Sequence, residues 1–481
     1  MRQERAGYHW ITIEAGQHRF LRSIFDAFGF SSLRIWIDAH VSAADFDRTH
    51  CGGLVTATGV FQERTVAIAW SDFRVMAACY GRDNSRRFAA FIQHLDRGSP
   101  APVPLIYVVN SAGLSLMEGR QLFAEAFRLW PALLAYAERH PVLTCALGKC
   151  LGLAPILFGL GHYRVAVARQ TQLNLTGPEV IARFFGAGAD FSEHAAAERF
   201  HACNDLVHEL VPSVPAALAR FRGLLARHGG EESAQPIGPD TSALLASFLD
   251  STPQEIVPGW CERVRLFIGR RKGRPLGLFV NPLERSDNMI TVRTLDKYAA
   301  GLDLFRALRL PIVSLLDSPG LDPRFAQSEA NNFRKMLWVG EKIIHYPHGA
   351  MGVLTRRCFG GSATLGFPKV FGGLRTVAIR GCRVGTMHES LIEKQLRRSP
   401  RLLAQWQQSA ARQGPGLEDL LAQGTVDALV NADELSREVD LFIEQCGASQ
   451  VRVVGSIGRE RARARISTRD YPLVVFQGNA G

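Results

Sequence analysis

The sequence predicts an α/β chain in which one fold of alternating strands and helices occurs twice, and three observations predict it. "YVVNSAG" (107–113) has a counterpart in "SLLDSPG" (314–320), 207 positions later. "VLTCALGKCLGLA" (142–154) is echoed by "VLTRRCFGGSA" (353–363), with Cys150-x-Gly152 standing against Cys358-x-Gly360 at an offset of 208. "GVFQERTVAIAW" (59–70) parallels "GRRKGRPLGLFV" (269–280), with Gly59 and Arg64 against Gly269 and Arg274 at an offset of 210. Matches in order at a nearly constant offset mark an internal repeat. A length of 481 residues also exceeds what one ordinary core supports.

Each copy reads strand, helix, strand, turn, helix, strand, turn. In the first, "TVAIAW" is a strand, and 85–96 carries Phe88, Phe91, Ile92 and Leu95 at helical spacing. "PLIYVV" then reads as a strand buried on both faces. In the second copy "PLGLFV", a helix with Leu302, Phe305 and Leu308, and "PIVSLL" repeat the order. Strands alternating with helices imply crossover units. The Gly, Pro, Ser and acid content of 228–240, "HGGEESAQPIGPD", cannot build a core, so a linker is expected there. The expected domains are 1–228 and 241–446, followed by a basic extension, 447–481.

Composition narrows the function. Charged residues interrupt the most apolar region, 132–168, at Arg139, Lys149 and Arg164, so no membrane span is expected. The opening "MRQERAGYHW" has no apolar segment behind it, and a cytoplasmic protein is expected. The net charge of +11 comes from arginines spread along the chain, without a nucleic-acid-binding signature. It suits an acidic partner such as a phosphate-bearing cofactor or a small carrier protein. The nine cysteines include no Cys-x-x-Cys pair and read as buried thiols, Cys150 and Cys358 among them. His194, His201, Cys203 and His208 do not match a compact metal motif, nor does "HYPH" (345–348), and no metal is predicted. "VSLLDSPGLDP" (313–323) resembles a nucleotide-switch turn, but no glycine-rich Gly-Lys-Ser/Thr loop accompanies it. Glu118 and Asp317 suit a helix start or turn better than a general base.

In both copies a hydrophobic strand ends in a turn of small residues before a helix. Such a turn aims peptide N–H groups, with the helix dipole behind them, at the space beyond the strand, where they can hold a developing negative charge on oxygen. Here the residues resemble the carboxyltransferase subunits of biotin-dependent acyl-CoA carboxylases, of the crotonase-like superfamily. The resemblance covers roughly 50–445 and rests on "NSAGLSLMEG" (110–119), "LTGPEVI" (175–181), "GRPLGLFVNP" (273–282), "LPIVSLLDSPG" (310–320) and "RRCFGGSA" (356–363).

The resemblance implies two tandem crotonase-like domains of ββα superhelix type. It also implies transfer of a carboxylate between carboxybiotin, borne on a separate carrier protein, and the α-carbon of an acyl-CoA or acyl-carrier-protein thioester, through enolates held in two oxyanion holes. By position, Ala112 and Gly113 correspond to one hole and Gly361 and Ser362 to the other. Ala78, Gly152, Gly177, Gly360 and Thr364 fall at substrate-binding positions, Thr364 near one that tunes acyl-chain preference. The implied partners are a biotin carboxylase or biotin carrier subunit, or an acyl carrier protein, and further copies of the chain, from a dimer up to a hexamer.

The chain departs from the family pattern in its first copy. It has Ala77-Ala78 where relatives have two glycines, Ala112-Gly113-Leu114-Ser115 for Gly-Gly-Ala-Arg, and Leu151-Gly152-Leu153-Ala154 for Ala-Gly-Gly-Ala. Losing glycine narrows or reshapes a site. The second copy keeps Gly360-Gly361, and its pocket is expected to be the better preserved. The helical lead of many relatives is not recognisable in 1–45. Two alternatives stand beside carboxyl transfer: a biotin-independent decarboxylase of malonyl thioesters, and a degenerate scaffold subunit.

Overall fold

The computed structural model describes residues 7–448 except 119–121, 187–189, 227–236, 325, 328–329, 387–388 and 414–416. The basic extension beyond Ala448 and most of the expected linker therefore lie outside the described residues. Two sheets carry the chain. The first contains β1 (Tyr8–Glu14), β2 (Ser32–Asp38), β3 (Leu54–Phe61), β4 (Arg64–Ser71), β5 (Leu105–Ser111), β6 (Val142–Leu151), β7 (Tyr163–Val167), β8 (Gln172–Asn174) and β9 (Glu209–Val211). Its order is β1-β2-β3-β4-β5-β6-β7-β9, with β8 on the far end of β6. The second contains β10 (Gln254–Ile256), β11 (Arg265–Arg271), β12 (Arg274–Val280), β13 (Ile312–Ser318), β14 (Ala350–Phe359), β15 (Arg375–Ile379), β16 (Arg383–Gly385) and β17 (Ala428–Val430). Its order is β10-β11-β12-β13-β14-β15-β17, with β16 on the far end of β14.

From β3 and β11 onward the two orders are the same, and the repeat read from the sequence is a repeat of topology. Each half opens with an antiparallel hairpin and continues in parallel strands joined by helical crossovers. The first crossovers correspond as well: α1 (Arg82–Gly98) in one half and α2 (Val292–Ala307) in the other. Helix α1 buries Phe88, Phe91, Ile92 and Leu95, the stripe that predicts it. Glu118 Oε2 accepts the Arg82 N–H at 2.8 Å, so this acid sits at a helix start.

The first 45 residues add something the sequence reading did not recognise. β1 and β2 pair antiparallel, Trp10 opposite Trp36, and extend the first sheet beyond β3. Ile11 and Ile13 of β1 and Leu33, Ile35 and Ile37 of β2 turn one face into the core. That alternation has the period of a half-buried strand.

The halves are not independent bodies, because one apolar core runs through both. The helix Val214–Leu225, capped by Ser213 Oγ accepting the Ala216 N–H, contributes to it. Leu218 and Phe221 of that helix are fully buried, each contributing about 1.5–3 kcal/mol. Next to it His208 stacks on Trp260 with ring centroids 5.1 Å apart, which joins the end of one half to the start of the other. No described helix is long and apolar enough to cross a membrane.

Candidate active site: two strand-end turns

The two halves build the same turn where their central parallel strands end. In the first, the β5–β6 ladder runs regularly to Val109 opposite Ala146, slips, and resumes with Ser111 opposite Cys150. In the second, β13–β14 runs to Leu316 opposite Leu354 and resumes with Ser318 opposite Cys358. Beyond the slip the chain bends at Gly113 (φ 100°) and Gly320 (φ 123°). Tyr80 N–H donates to Gly113 O at 2.8 Å, and Ile290 N–H donates to Gly320 O at 2.9 Å. The glycine N–H groups turn back onto serine hydroxyls: Gly113 to Ser111 Oγ at 3.1 Å, Gly320 to Ser318 Oγ at 3.2 Å. A Cβ on Gly113 would lie 2.8 Å from Leu151 O, so only glycine lets the β5 turn seat against the end of β6.

The second strand of each pair ends in its own glycine, Gly152 (φ 61°) or Gly360 (φ 59°). Gly152 caps the helix Leu153–Gly159 and gives its N–H to Asn174 O at 3.0 Å. That bond, with the Leu151–Asn174 pairing of β8, brings the segment leading to Gly177 beside the first turn. Gly177 caps the helix Pro178–Phe185. In the second half Gly360 opens a 3-10 turn, Gly360–Gly366, which includes Gly361, Ser362 and Thr364. Gly360 and Gly361 are exposed, Ser362 is buried with its Oγ donating to Phe359 O at 2.8 Å, and Thr364 is half-buried. The opening N–H groups of such a turn precede its own hydrogen bonds and face outward.

This geometry re-sorts the sequence candidates. Ala112–Gly113 and Gly361–Ser362 are not counterparts: Gly113 corresponds to Gly320, while Gly361 corresponds to Leu153. Furthermore, both N–H groups chosen in the first half are engaged inside it. Ala112 donates to Ala77 O at 3.0 Å, and Gly113 to the Ser111 hydroxyl. The residue that takes the Ala112 donor belongs to a distorted segment. Met76, Ala77 and Ala78 have φ of 48°, 51° and 46°, three consecutive L-residues in the left-handed region, which costs roughly 1–2 kcal/mol per residue. The Ala-for-Gly departure at 77–78 thus falls where glycine would relax the backbone, with Ala78 buried against the turn.

Beneath the first turn lies a polar pair that motif reading missed. The Tyr80 and Tyr107 hydroxyls are 2.5 Å apart and fully buried. Burial, with the Tyr107 phenol beside it, pushes the Tyr80 phenol well above its ordinary range, so both remain protonated donors. Beneath the second turn Asp317 is wholly buried. Arg357 Nε and the Arg356 and Arg357 terminal nitrogens reach its two oxygens at 2.8–2.9 Å. Arg357 also donates to Ser286 O at 2.9 Å. Asp317 is therefore the anchor of a loop. The thiols of Cys150 and Cys358 are buried behind the turns, and burial raises both, Cys358 to about 12. His201 Nδ1 sits 3.1 Å from Val207 O, and no group of three metal-ligating side chains occurs among the described residues.

The two halves together have the tandem crotonase-like fold, and the chain matches the carboxyl transferase domain over residues 22–254. It is similar to the methylmalonyl-CoA carboxyltransferase 12S subunit of Propionibacterium freudenreichii subsp. shermanii, 22% identical over 64% of this chain and 63% of that protein. It is also similar to the biotin-dependent acetyl-/propionyl-coenzyme A carboxylase beta6 subunit of Mycobacterium tuberculosis, 24% identical over 71% of this chain and 78% of that protein. The transcarboxylase 12S structure, described as a hexamer with methylmalonyl-coenzyme A bound, superposes with a TM-score of 0.71 at 19% identity, covering 82% of each chain. The last likeness is one of fold.

Proposed function

We propose that this chain is the carboxyltransferase subunit of a biotin-dependent acyl-CoA carboxylase, moving a carboxylate between carboxybiotin and the α-carbon of an acyl thioester. On this reading 1–228 and 241–446 are its two carboxyltransferase domains. The observation that carries the proposal is the duplicated strand-end turn, whose second copy exposes the Gly360 and Gly361 backbone. Loss of a proton or carboxylate α to a thioester leaves charge on the thioester oxygen, and fixed N–H donors stabilise that charge without a side-chain base. Gly361 and Ser362 present such donors in the second half, and Thr364, two residues further on, is placed to meet an acyl group. The exposed glycine backbone leaves room for the flat carbonyl edge of a biotin ring, and carboxybiotin, when bound, supplies the carboxyl group. A biotin-carrying subunit is the expected partner. Exposed apolar side chains beside the first turn (Met76, Leu116, Met117) and on the helix Asn332–Ile344 (Phe333, Leu337) support a homo-oligomer.

One observation favours a second reading, biotin-independent decarboxylation of a malonyl thioester: the Ala112 and Gly113 donors are already engaged, leaving fewer for a second oxyanion. Incubating the protein with malonyl-CoA separates the two. Carboxyl transfer requires that malonyl-CoA consumption depend on added biotin. Release of carbon dioxide at the same rate without biotin selects decarboxylation, and no turnover in either condition contradicts both.

A further inference from the structure

At the opposite end of the sheets from the turns, where the strands begin, the halves leave between them a cavity of about 670 Å³. That lies within the roughly 300–1,000 Å³ of small-molecule sites. Leu225 from the first half and Leu310 from the second, both buried, are part of an apolar floor. The charged lining is basic: Arg64, Arg270 and Arg309 against one carboxylate, Glu63. Among the described residues neither the Arg64 nor the Arg309 guanidinium is paired with a carboxylate.

Two of these residues are held against their backbone preference. Arg309 follows the end of α2 with φ 58°, a position where glycine is the usual choice because an L-residue there costs roughly 1–2 kcal/mol. Glu63 has φ 62° in the β3–β4 hairpin turn, where the second half has Gly273. Arg64 and Arg309 are both exposed on the rim of this cavity.

We propose that this cavity binds an amphipathic organic anion of the fatty-acid type, its carboxylate between Arg64 and Arg309 and its aliphatic chain on the apolar floor. Residues of both halves line the site, so an occupant stabilises the folded chain. The test is calorimetric titration and thermal unfolding of the full-length protein with laurate, with dodecanol as the tail without charge and acetate as the charge without tail. Laurate is expected to bind and raise the Tm, and the other two to do neither at the same concentration. The double variant Arg64→Glu/Arg309→Glu is expected to weaken laurate by at least about tenfold. Its basal turnover should be unchanged, because both arginines are remote from the turns. Arg309→Gln is the milder variant if charge reversal impairs folding, and it too should weaken laurate. Absence of laurate binding up to about 1 mM, equal binding of dodecanol, or undiminished binding by the arginine variants overturns the proposal.

Discussion

At the scale of single residues, the most informative feature is the left-handed run Met76–Ala78. Ala77→Gly should raise the free energy of unfolding by roughly 0.5–1 kcal/mol, the relief of strain being partly offset by the freer unfolded chain. Ala77→Val should lower it by a similar amount or more, and urea unfolding of both variants measures the pair. Asp317 belongs to the same scale. Its carboxylate is buried while Arg356 and Arg357 are 44% and 26% exposed, so Asp317→Asn should destabilise by roughly 1–3 kcal/mol after allowance for solvent screening. The sequence marked both positions without disclosing their physics, and Asp317, read as a helix-start or turn acid, lies in β13. The alanines were visible as departures from a glycine pattern, but the sign of φ and the acceptor role of Ala77 O depend on how β5 ends. The ion-pair role of Asp317 was not legible because its two arginines stand 39 and 40 positions away.

At the scale of elements, β4, β5, β12 and β13 were legible because burial on both faces writes continuous apolar runs, and each run has a copy in the other half. β1 and β2 were not recognised, because a pair with no copy and a mixed face leaves only short alternations. The candidate turns were legible as small-residue bends, whereas which N–H groups are free was not. That depends on Ser111 Oγ and Ala77 O, which no spacing rule connects to Gly113 and Ala112. The helix Val214–Leu225, whose Pro215 sits in its first turn, joins the halves by packing that only the three-dimensional arrangement reveals.

At the scale of the whole molecule, two buried histidines tie stability to pH. His162 Nδ1 accepts the Val142 N–H at 3.0 Å, and burial lowers its pKa to about 4. His208 Nδ1 accepts the Arg164 N–H at 3.3 Å, and burial pushes it well below the ordinary range. Both folded values lie below the ~6.5 of an unfolded chain, so the unfolded state binds more protons at low pH. Their stabilisation is complete above pH ~6.5 and is lost as pH falls below it, at about 1.4 kcal/mol per pH unit for each, the loss for His162 running down to pH about 4. Urea unfolding at several pH values should show this slope, and His162→Gln should remove one histidine's share of it.

The measurement that bears most directly on function is the rate of biotin-dependent malonyl-CoA consumption by Gly361→Pro. Proline is tolerated at the start of a helical turn and deletes one peptide N–H. If main-chain donors of the second turn hold the enolate oxygen, kcat falls by about 10²–10³ while KM and the unfolding midpoint stay close to the parent values. A correctly folded Gly361→Pro protein turning over at the parent rate would contradict the account.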